Sequence, residues 1–394
     1  MEEKGGFLQG LSLNVVALGL TSFFTDVSSE MIFALLPFFM VEGLQIKMAV
    51  VGLIEGAAES VASVLKVFSG WLSDKVGKRK TFAVAGYSLS AFLKPLFAFA
   101  TSVLHVFSIR VFDRVGKGLR TSPRDALIAD SVEAGALGKA YGLHRSMDTL
   151  GAVVGPLVAF ALFPLLWYRG VFLFSLLPGA IAVLILIFLV KEKPKGLRKE
   201  TKFLMDFKSL PRSLKLFILI AGLFNLSNFS YAFFLLRAGT LGVKAGAAPL
   251  LYLLFNVVYA LSAYPLGAAA DRIGKKLVLG FGYGMFGLTC FGFALAKNSL
   301  QAVGLFVAYG VFFAASDTLQ RALVPDLGGQ ELRGTAFGAL HSAIGFTTLP
   351  SSFIAGTLWQ TYGPTFPFAF SGALSLFSAF LLALLPLKPS RARS

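Results

Sequence analysis

The sequence has few of the residues that most catalytic and metal-binding sites need. Its 394 residues include one cysteine and three histidines, and only 14% of them are charged. A single cysteine excludes an internal disulfide, and no Cys–His cluster has the spacing of a metal site. The phosphate-binding phrase Gly-x-x-x-x-Gly-Lys-Ser/Thr and nucleophile–base patterns are absent. We therefore expect no enzyme activity, no cofactor and no metal.

Hydrophobic residues, in contrast, make up 56% of the chain. A soluble protein has about 25% charged residues, well above the fraction found here. Apolar stretches of about twenty residues recur along the whole chain, the length that crosses about 30 Å of hydrocarbon as a helix. The sequence predicts an all-α membrane protein with twelve transmembrane helices. The spans are 12–41, 48–73, 81–101, 103–128, 139–163, 168–190, 214–239, 246–270, 277–297, 300–323, 334–358 and 364–386.

The net charge of +16 raises the possibility of nucleic-acid binding, but its distribution argues against it. The basic residues concentrate in short loops and in the stretch 191–199, the pattern that marks the cytoplasmic side of membrane proteins. We expect two six-helix bundles, 1–190 and 214–394, and a basic cytoplasmic connector, 191–213. Both termini are then cytoplasmic, in a multi-pass protein of the inner or plasma membrane.

One short phrase occurs in both halves, at an offset of 271 − 74 = 197 residues. A second match starts at Asp125 and Arg321, at an offset of 321 − 125 = 196. The glycine that opens each phrase is expected to let two helices approach closely, and the later glycine to form a tight turn. The phrase comprises Gly70, Asp74, Gly77, Lys78 and Arg79 in the first half and Gly267, Asp271 and Gly274 in the second.

Six helices per half, a parallel repeat and a basic loop between the halves resemble the major facilitator superfamily, over essentially the whole chain. The resemblance implies a secondary transporter that works by alternating access around a midplane cavity. It also implies that the repeated loop is a latch that holds one gate state. We expect a monomer in the lipid bilayer, with a small-molecule solute and protons as its partners.

Two further motifs carry the resemblance. Arg114-Val-Gly-Lys-Gly in helix 4 is similar to the family pattern Arg-x-x-Gln-Gly, with lysine in place of glutamine. The family assigns proton transfer to this arginine, and we extend the role to Arg110. Gly151, Gly155 and Pro156 in helix 5 resemble the pattern of family exporters, which favours export over import. The later basic residues of helix 4, Arg120 among them, are expected at a wet, snorkelling helix end.

Acidic residues inside the first half allow two interpretations. Asp26 and Glu30 are four residues apart, as are Glu55 and Glu59, so each pair shares one helix face. Either Asp26, Glu30 or Glu59 carries a proton with Arg114 as partner, or these acids form fixed ion pairs with the buried cations. The residues expected to line a substrate cavity are Glu55, Asp113, Asp148, Asn225, Asn228, Asn256, Asp317 and Arg321, of which the last two are spaced to pair with each other.

The sequence thus predicts proton-coupled efflux of a small organic solute. One alternative is proton-coupled uptake by symport, of an organic or anionic solute. Another is a non-transporting receptor or lipid-handling protein on the same scaffold. The charge of the solute stays open, because the arginines suit an anion whereas the carboxylates suit a cation.

Overall fold

The computed structural model describes residues 12–132, 136–192, 210–328 and 333–386, and these ranges contain helices, turns and loops but no strand. The helices of the first half are α1 Leu13–Phe33, α2 Leu36–Phe38, α3 Met48–Val76, α4 Arg79–Leu93, α5 Val103–Asp130, α6 Leu137–Phe174 and α7 Leu176–Leu189. Those of the second half are α8 Arg212–Ser227, α9 Tyr231–Thr240, α10 Ala248–Ile273, α11 Lys275–Leu295, α12 Ser299–Gly328, α13 Arg333–Tyr362 and α14 Phe366–Leu384.

Length and composition let 9 of the described helical stretches cross a membrane. One of them, Leu137–Leu189, has 53 residues and covers two of the expected spans. Trp167, with φ 52°, interrupts the helix within it, whereas Pro156 does not. Helices α5 and α13, of 28 and 30 residues, also have sufficient length. The protein is therefore a multi-pass membrane protein, and the count of twelve spans stays a prediction.

Local chemistry explains where several helices begin. The Ser102 side chain accepts a hydrogen bond from the backbone of His105 and caps α5. Glu192 accepts hydrogen bonds from the first two backbone N–H groups of α4, at 2.6 and 3.1 Å. A carboxylate is favoured there because the first N–H groups of a helix lack partners and point at it. Gly274, with φ 101°, separates α10 from α11.

Internal contacts divide the chain into two units. The first comprises Met1–Phe33 and Leu65–Lys202, and the second Ala34–Val64 and Phe203–Ser394. The two units divide α3, whose residues up to Val64 pack with the second. The expected bundles 1–190 and 214–394 stay a prediction, and most of the expected connector 191–213 falls outside the described residues.

Each unit has its own apolar core. In the first unit the core includes Leu18 from α1, Tyr87 from α4 and Leu186 from α7. In the second unit the core is aromatic: the Phe224 and Tyr283 rings stack with centroids 3.7 Å apart, and Phe286 and Phe312 pack beside them. Aromatic pairs of this kind add to stability beyond their buried area.

Candidate functional site

Helix α5 carries most of the buried charge of the first unit. Arg110 has no exposed surface, and Asp113, Arg114 and Arg120 on the same helix are also buried. An ionised group at membrane depth needs a charged partner, a polar partner or water. The contacts of these four side chains therefore define the candidate site.

The two arginines singled out by the family resemblance rest on one aromatic ring. The guanidinium carbons of Arg110 and Arg114 lie 4.1 and 4.6 Å from the centroid of Phe33, the last residue of α1. Nη1 of Arg110 is also 3.9 Å from Oδ2 of Asp113. A cation on the face of a ring is attracted by the ring quadrupole, most strongly when both are desolvated. The end of α1 thus helps to hold the charge of α5.

Close approach of α4 and α5 surrounds Asp113 with donors and cations. A Cβ at Gly86 would lie 2.5 Å from the Gly116 carbonyl oxygen, so no larger residue fits there. Ser90, one turn further along α4, donates a hydrogen bond of 2.5 Å to Oδ1 of Asp113. Asp113 is therefore tied to the protein, which fits a charge-balancing role better than the cavity-lining role expected from the sequence.

Sequence reasoning missed Lys94. Its side chain is fully buried, and Nζ donates to the Ser29 hydroxyl at 3.0 Å and to the Thr25 carbonyl at 3.4 Å, both on α1. Asp113 is within electrostatic range. The available signal was a single lysine inside the apolar run 91–100. Lys94 links the candidate proton-carrying helix α1 to the charges of α5.

The acids of α1 lie where that helix meets the glycines of α6. A Cβ at Gly151 would be 2.8 Å from Cβ of Asp26, and one at Gly155 would be 2.9 Å from Cβ of Glu30. Both acids are partly exposed, and Asp26 is within electrostatic range of Arg120. The exporter-like glycines and two of the three candidate proton carriers therefore form one helix contact.

Asp148, two turns before Gly155 on α6, belongs to the same polar region. Its Oδ2 is 3.8 Å from Nδ1 of His144 and 3.9 Å from Nη1 of Arg145. Asp26 is also within electrostatic range of Asp148. The two carboxylates and the cations beside them therefore belong to one charged cluster.

The expectation that Arg120 lies at a solvated end of α5 is wrong. The residue is only 6% exposed, and its guanidinium covers the ring of Tyr87 at 4.6 Å. Packing of α4 against α5 at Gly86 explains the burial, because the backbone and Cβ of Arg120 lie against that glycine. Arg124 is largely buried, with 15% of its side chain exposed, and pairs with Asp125 at 2.8 Å.

The repeated loop forms a network of ion pairs in the first unit. Arg79 donates to Asp74 at 2.6 Å and also pairs with Asp130 at the end of α5. Gly77, with φ 70°, makes the turn between α3 and α4 possible. Lys78 is exposed, and Gly70 lets Ser122 of α5 approach to 3.1 Å of the position a Cβ would take.

The second copy makes the corresponding contact in the second unit. Lys275 pairs with Asp326 at 2.8 Å, and the separation of 51 residues equals that between Arg79 and Asp130. Gly274 matches Gly77 at an offset of 197, whereas Lys275 matches Arg79 at 196. Lys78 is thus one extra residue in the first copy, which explains the two offsets.

One expectation about the second copy is wrong. Within the described ranges, nothing lies within 4 Å of a Cβ built at Gly267, so this glycine does not serve a close helix approach, unlike Gly70. The space beside it on α10 is open in this conformation. Asp271, one turn later, is exposed.

Glu55 and Glu59 lie on the part of α3 that belongs to the second unit. Glu55 is 1% exposed and accepts a hydrogen bond of 3.4 Å from the Ser230 hydroxyl. Here α3 packs directly on α13: a Cβ at Gly52 would clash with the Ser352 carbonyl oxygen. Glu55 is therefore part of a helix contact in this conformation. Glu59 is partly exposed, and its proton-carrying role stays a prediction.

The remaining polar candidates of the second unit have internal partners. The Asn225 amide donates to the Thr347 and Thr348 hydroxyls at 2.9 and 3.0 Å. Asn256 donates to the carbonyl of Tyr252 on its own helix. Arg321 pairs with Asp317 at 2.5 Å, as their spacing allows, and Asn228 forms the C-cap of α8. Their cavity-lining role stays a prediction.

No group of three His, Cys, Asp or Glu side chains within the described ranges has a geometry that could hold a metal. The described side chains of the site are carboxylates, cations and hydroxyls.

Comparison with known proteins identifies the family. The sequence model of the Major Facilitator Superfamily matches residues 18–237 and 216–394. An uncharacterised MFS-type transporter of Methanocaldococcus jannaschii is 39% identical over 382 residues, covering 94% of each chain. An uncharacterised protein of Mycobacterium tuberculosis is 25% identical and covers 79% of this chain and 78% of its own.

Solved structures show the same fold. The nucleoside transporter NupG superposes with a TM-score of 0.79 at 14% identity, over 95% of this chain and 99% of its own. A POT family transporter in complex with 5-aminolevulinic acid gives a TM-score of 0.79 at 13% identity, over 96% and 98%. At these identities the likeness concerns the fold alone.

Proposed function

The chain belongs to the Major Facilitator Superfamily and is a secondary transporter, not an enzyme, and we propose that it exports a small organic solute in exchange for protons. The single observation that carries the proposal is the contact of α1 with α6. Asp26 and Glu30 meet Gly151 and Gly155 there, so the candidate proton carriers lie on the exporter-like motif.

Protonation at this contact changes the charge balance of the first unit. An ionised Asp26 is balanced by the cations of α5, with Arg120 and Lys117 in range, and opposed by Asp148 and Glu30. Adding a proton removes one negative charge, so the attraction between α1 and α5 weakens. In the proposed cycle the carboxylates bind protons from one side and release them to the other as α1 shifts against α6.

Helix α1 links the carboxylates to the buried arginines. The same helix that carries Asp26 and Glu30 ends in Phe33, on which Arg110 and Arg114 rest. A displacement of α1 changes the surroundings of both arginines and of Lys94 together. We assign the arginines and Lys94 to positioning and balancing charge, and the carboxylates to proton binding.

The proposed direction of transport is supported by the glycine–proline motif of α6. Its resemblance to exporters of the family, together with its contact with the α1 acids, favours exchange of solute and proton over symport. Uptake with protons is the outcome that the experiment must distinguish.

Transport by the purified protein in liposomes tests the proposal. The first solutes to screen are nucleosides and 5-aminolevulinic acid, since two transporters of the same fold carry or bind them. We expect solute accumulation driven by an outward proton gradient, with proton entry into the external buffer reported by a pH-sensitive dye. At least one of the two variants Asp26→Asn and Glu30→Gln should lose gradient-driven accumulation of the solute. The same variant should keep solute-for-solute counterflow.

Asp125→Asn is the matched control, because the Asp125 side chain is 45% exposed and pairs with Arg124, away from the contact of α1 with α6. This variant should keep wild-type coupling. Solute and proton moving in the same direction would contradict the export proposal. Full coupling in both the Asp26 and Glu30 variants would contradict the assignment of the proton-binding site.

A further inference from the structure

A groove runs along the outer surface of the second unit, between α11 and α14. Its volume is about 560 Å³, and Leu277, Gly280, Ala379 and Ala383 form its apolar lining, with Lys276 at one end. The neighbouring side chains of Phe281 and Phe380 are exposed, which is typical of a surface that faces lipid. The groove therefore opens towards the hydrocarbon of the bilayer.

The groove exists because glycine and alanine, which have little or no side chain, line it. No described residue lies within 4 Å of a Cβ built at Gly280 or at Gly284, one helical turn further along α11. The lining residues on this side run from Ile273 to Gly280, over which the chain rises about 10 Å at about 1.5 Å per residue. That length is about a third of the hydrocarbon core of a bilayer. The groove thus has room for the part of one lipid acyl chain that lies next to the headgroup.

The first half of the chain shows that the fold does not require this opening. Lys80 and Lys276 correspond, because each donates to a backbone carbonyl 107 residues later, Ile187 and Ala383, at 2.8 Å. At the same offset of 196, Gly280 and Ala379 correspond to Val84 and Val183. Val84 and Val183 pack into the apolar core of the first unit. Smaller residues leave the equivalent space empty in the second half.

The end of the groove is basic. Lys276 uses two of its three N–H donors on the Ala383 and Leu385 carbonyls, at 2.8 and 2.7 Å, which leaves one for a ligand. Arg272 precedes the lining residue Ile273 and is exposed, as is Asp271. Lys275 is paired with Asp326. A phosphate at this end would meet Lys276 and Arg272, at the level where lipid headgroups lie.

We propose that this groove binds one acyl chain of an anionic glycerophospholipid, whose phosphate contacts Lys276 and Arg272. The lipid fills the space that Val84 and Val183 fill in the first half. Bound lipid then stabilises α11 against α14, in addition to the transport activity and independently of it.

Defined nanodiscs test the proposal with the full-length protein. The probes are palmitoyl-oleoyl phosphatidylglycerol and phosphatidylcholine with the same chains, with bound lipid counted by native mass spectrometry and unfolding followed by heating. We expect wild type to retain phosphatidylglycerol preferentially and to gain thermal stability from it. Gly280→Val with Ala379→Val, which introduces the residues of the first half, should lose most of the retained lipid and of the stability gain.

Two further variants separate the causes. Arg272→Gln should weaken phosphatidylglycerol binding about fivefold, the effect of one basic side chain near a headgroup, and leave phosphatidylcholine binding unchanged. Gly304→Val is the matched control: a Cβ there also meets open space, in a groove of about 400 Å³ whose lining residues include no basic side chain. It should behave as wild type.

Three results would overturn the proposal. The first is unchanged phosphatidylglycerol retention in the Gly280/Ala379 double variant. The second is an equal loss in Gly304→Val, which would point to a general effect of valine on the surface. The third is equal retention of phosphatidylcholine and phosphatidylglycerol by wild type, which would remove the role of the basic end.

Discussion

Replacing Gly155 by alanine tests how closely α1 and α6 pack at the candidate proton site. The added methyl group would lie 2.9 Å from both Cβ of Glu30 and the carbonyl oxygen of Val27, where ordinary contacts begin at 3.4 Å. The helices must therefore separate by several tenths of an ångström. Overpacking of this kind costs about 1–3 kcal/mol. Alanine also gains up to about 1 kcal/mol over glycine in helix propensity, which partly hides the cost.

Gly142→Ala removes this ambiguity, because Gly142 lies on the same helix and none of the residues that the structure describes is within 4 Å of its added Cβ. The difference in unfolding free energy between the two variants isolates the packing term, since both gain the same propensity. We expect Gly155→Ala to be less stable than Gly142→Ala by about 1–3 kcal/mol, measured by denaturant titration of the purified protein in detergent. A difference below about 0.5 kcal/mol, the usual spread of neutral surface changes, would refute the close contact.

Three further outcomes are expected from denaturant titrations. Lys94→Ala should destabilise the protein by about 1–3 kcal/mol, because it leaves the buried Ser29 hydroxyl without the Lys94 donor; a loss under about 0.5 kcal/mol would contradict this hydrogen bond. Lys275→Gln should change stability by less than about 1 kcal/mol, because its pair with Asp326 is partly exposed to solvent; a larger loss would show that the pair is shielded. Gly274→Ala should cost about 1–2 kcal/mol, because its φ of 101° strains any residue with a Cβ; an unchanged midpoint would argue against this turn.

The sequence predicted correctly those features that depend on the residues of a single helix. The repeat and the apolar spans can be read directly from the sequence. The shared face of Arg110 and Arg114 follows from their spacing, because a helix turn brings residues four apart together. The interruption near residue 167 also falls between two expected spans.

Spacing does not reveal which helix faces which. Lys94 has no charged neighbour in sequence, and its partners Thr25 and Ser29 come from a helix about seventy residues earlier, so only the packing of α1 against α4 shows its place. Arg120 failed as a prediction for the same reason, because the approach of α4 at Gly86 buries a side chain that the sequence places at a helix end.

The repeat itself also misled at one point. Equal residues in the two copies suggested equal packing for Gly70 and Gly267, yet only Gly70 has a neighbour within contact distance. The neighbouring helix, not the motif, decides whether a glycine is used for close approach.

The most direct test of proton-coupled export is the solute gradient at which net flux stops in liposomes that contain the purified protein. If one proton is exchanged per solute, each tenfold change in the imposed proton gradient should change the internal-to-external solute ratio at zero flux tenfold. The ratio should rise when the internal proton concentration rises, as exchange requires. Glu30→Gln combined with Asp26→Asn should make this ratio independent of the proton gradient. A wild-type ratio that stays fixed as the proton gradient varies, or that changes with the sign of symport, would contradict the account.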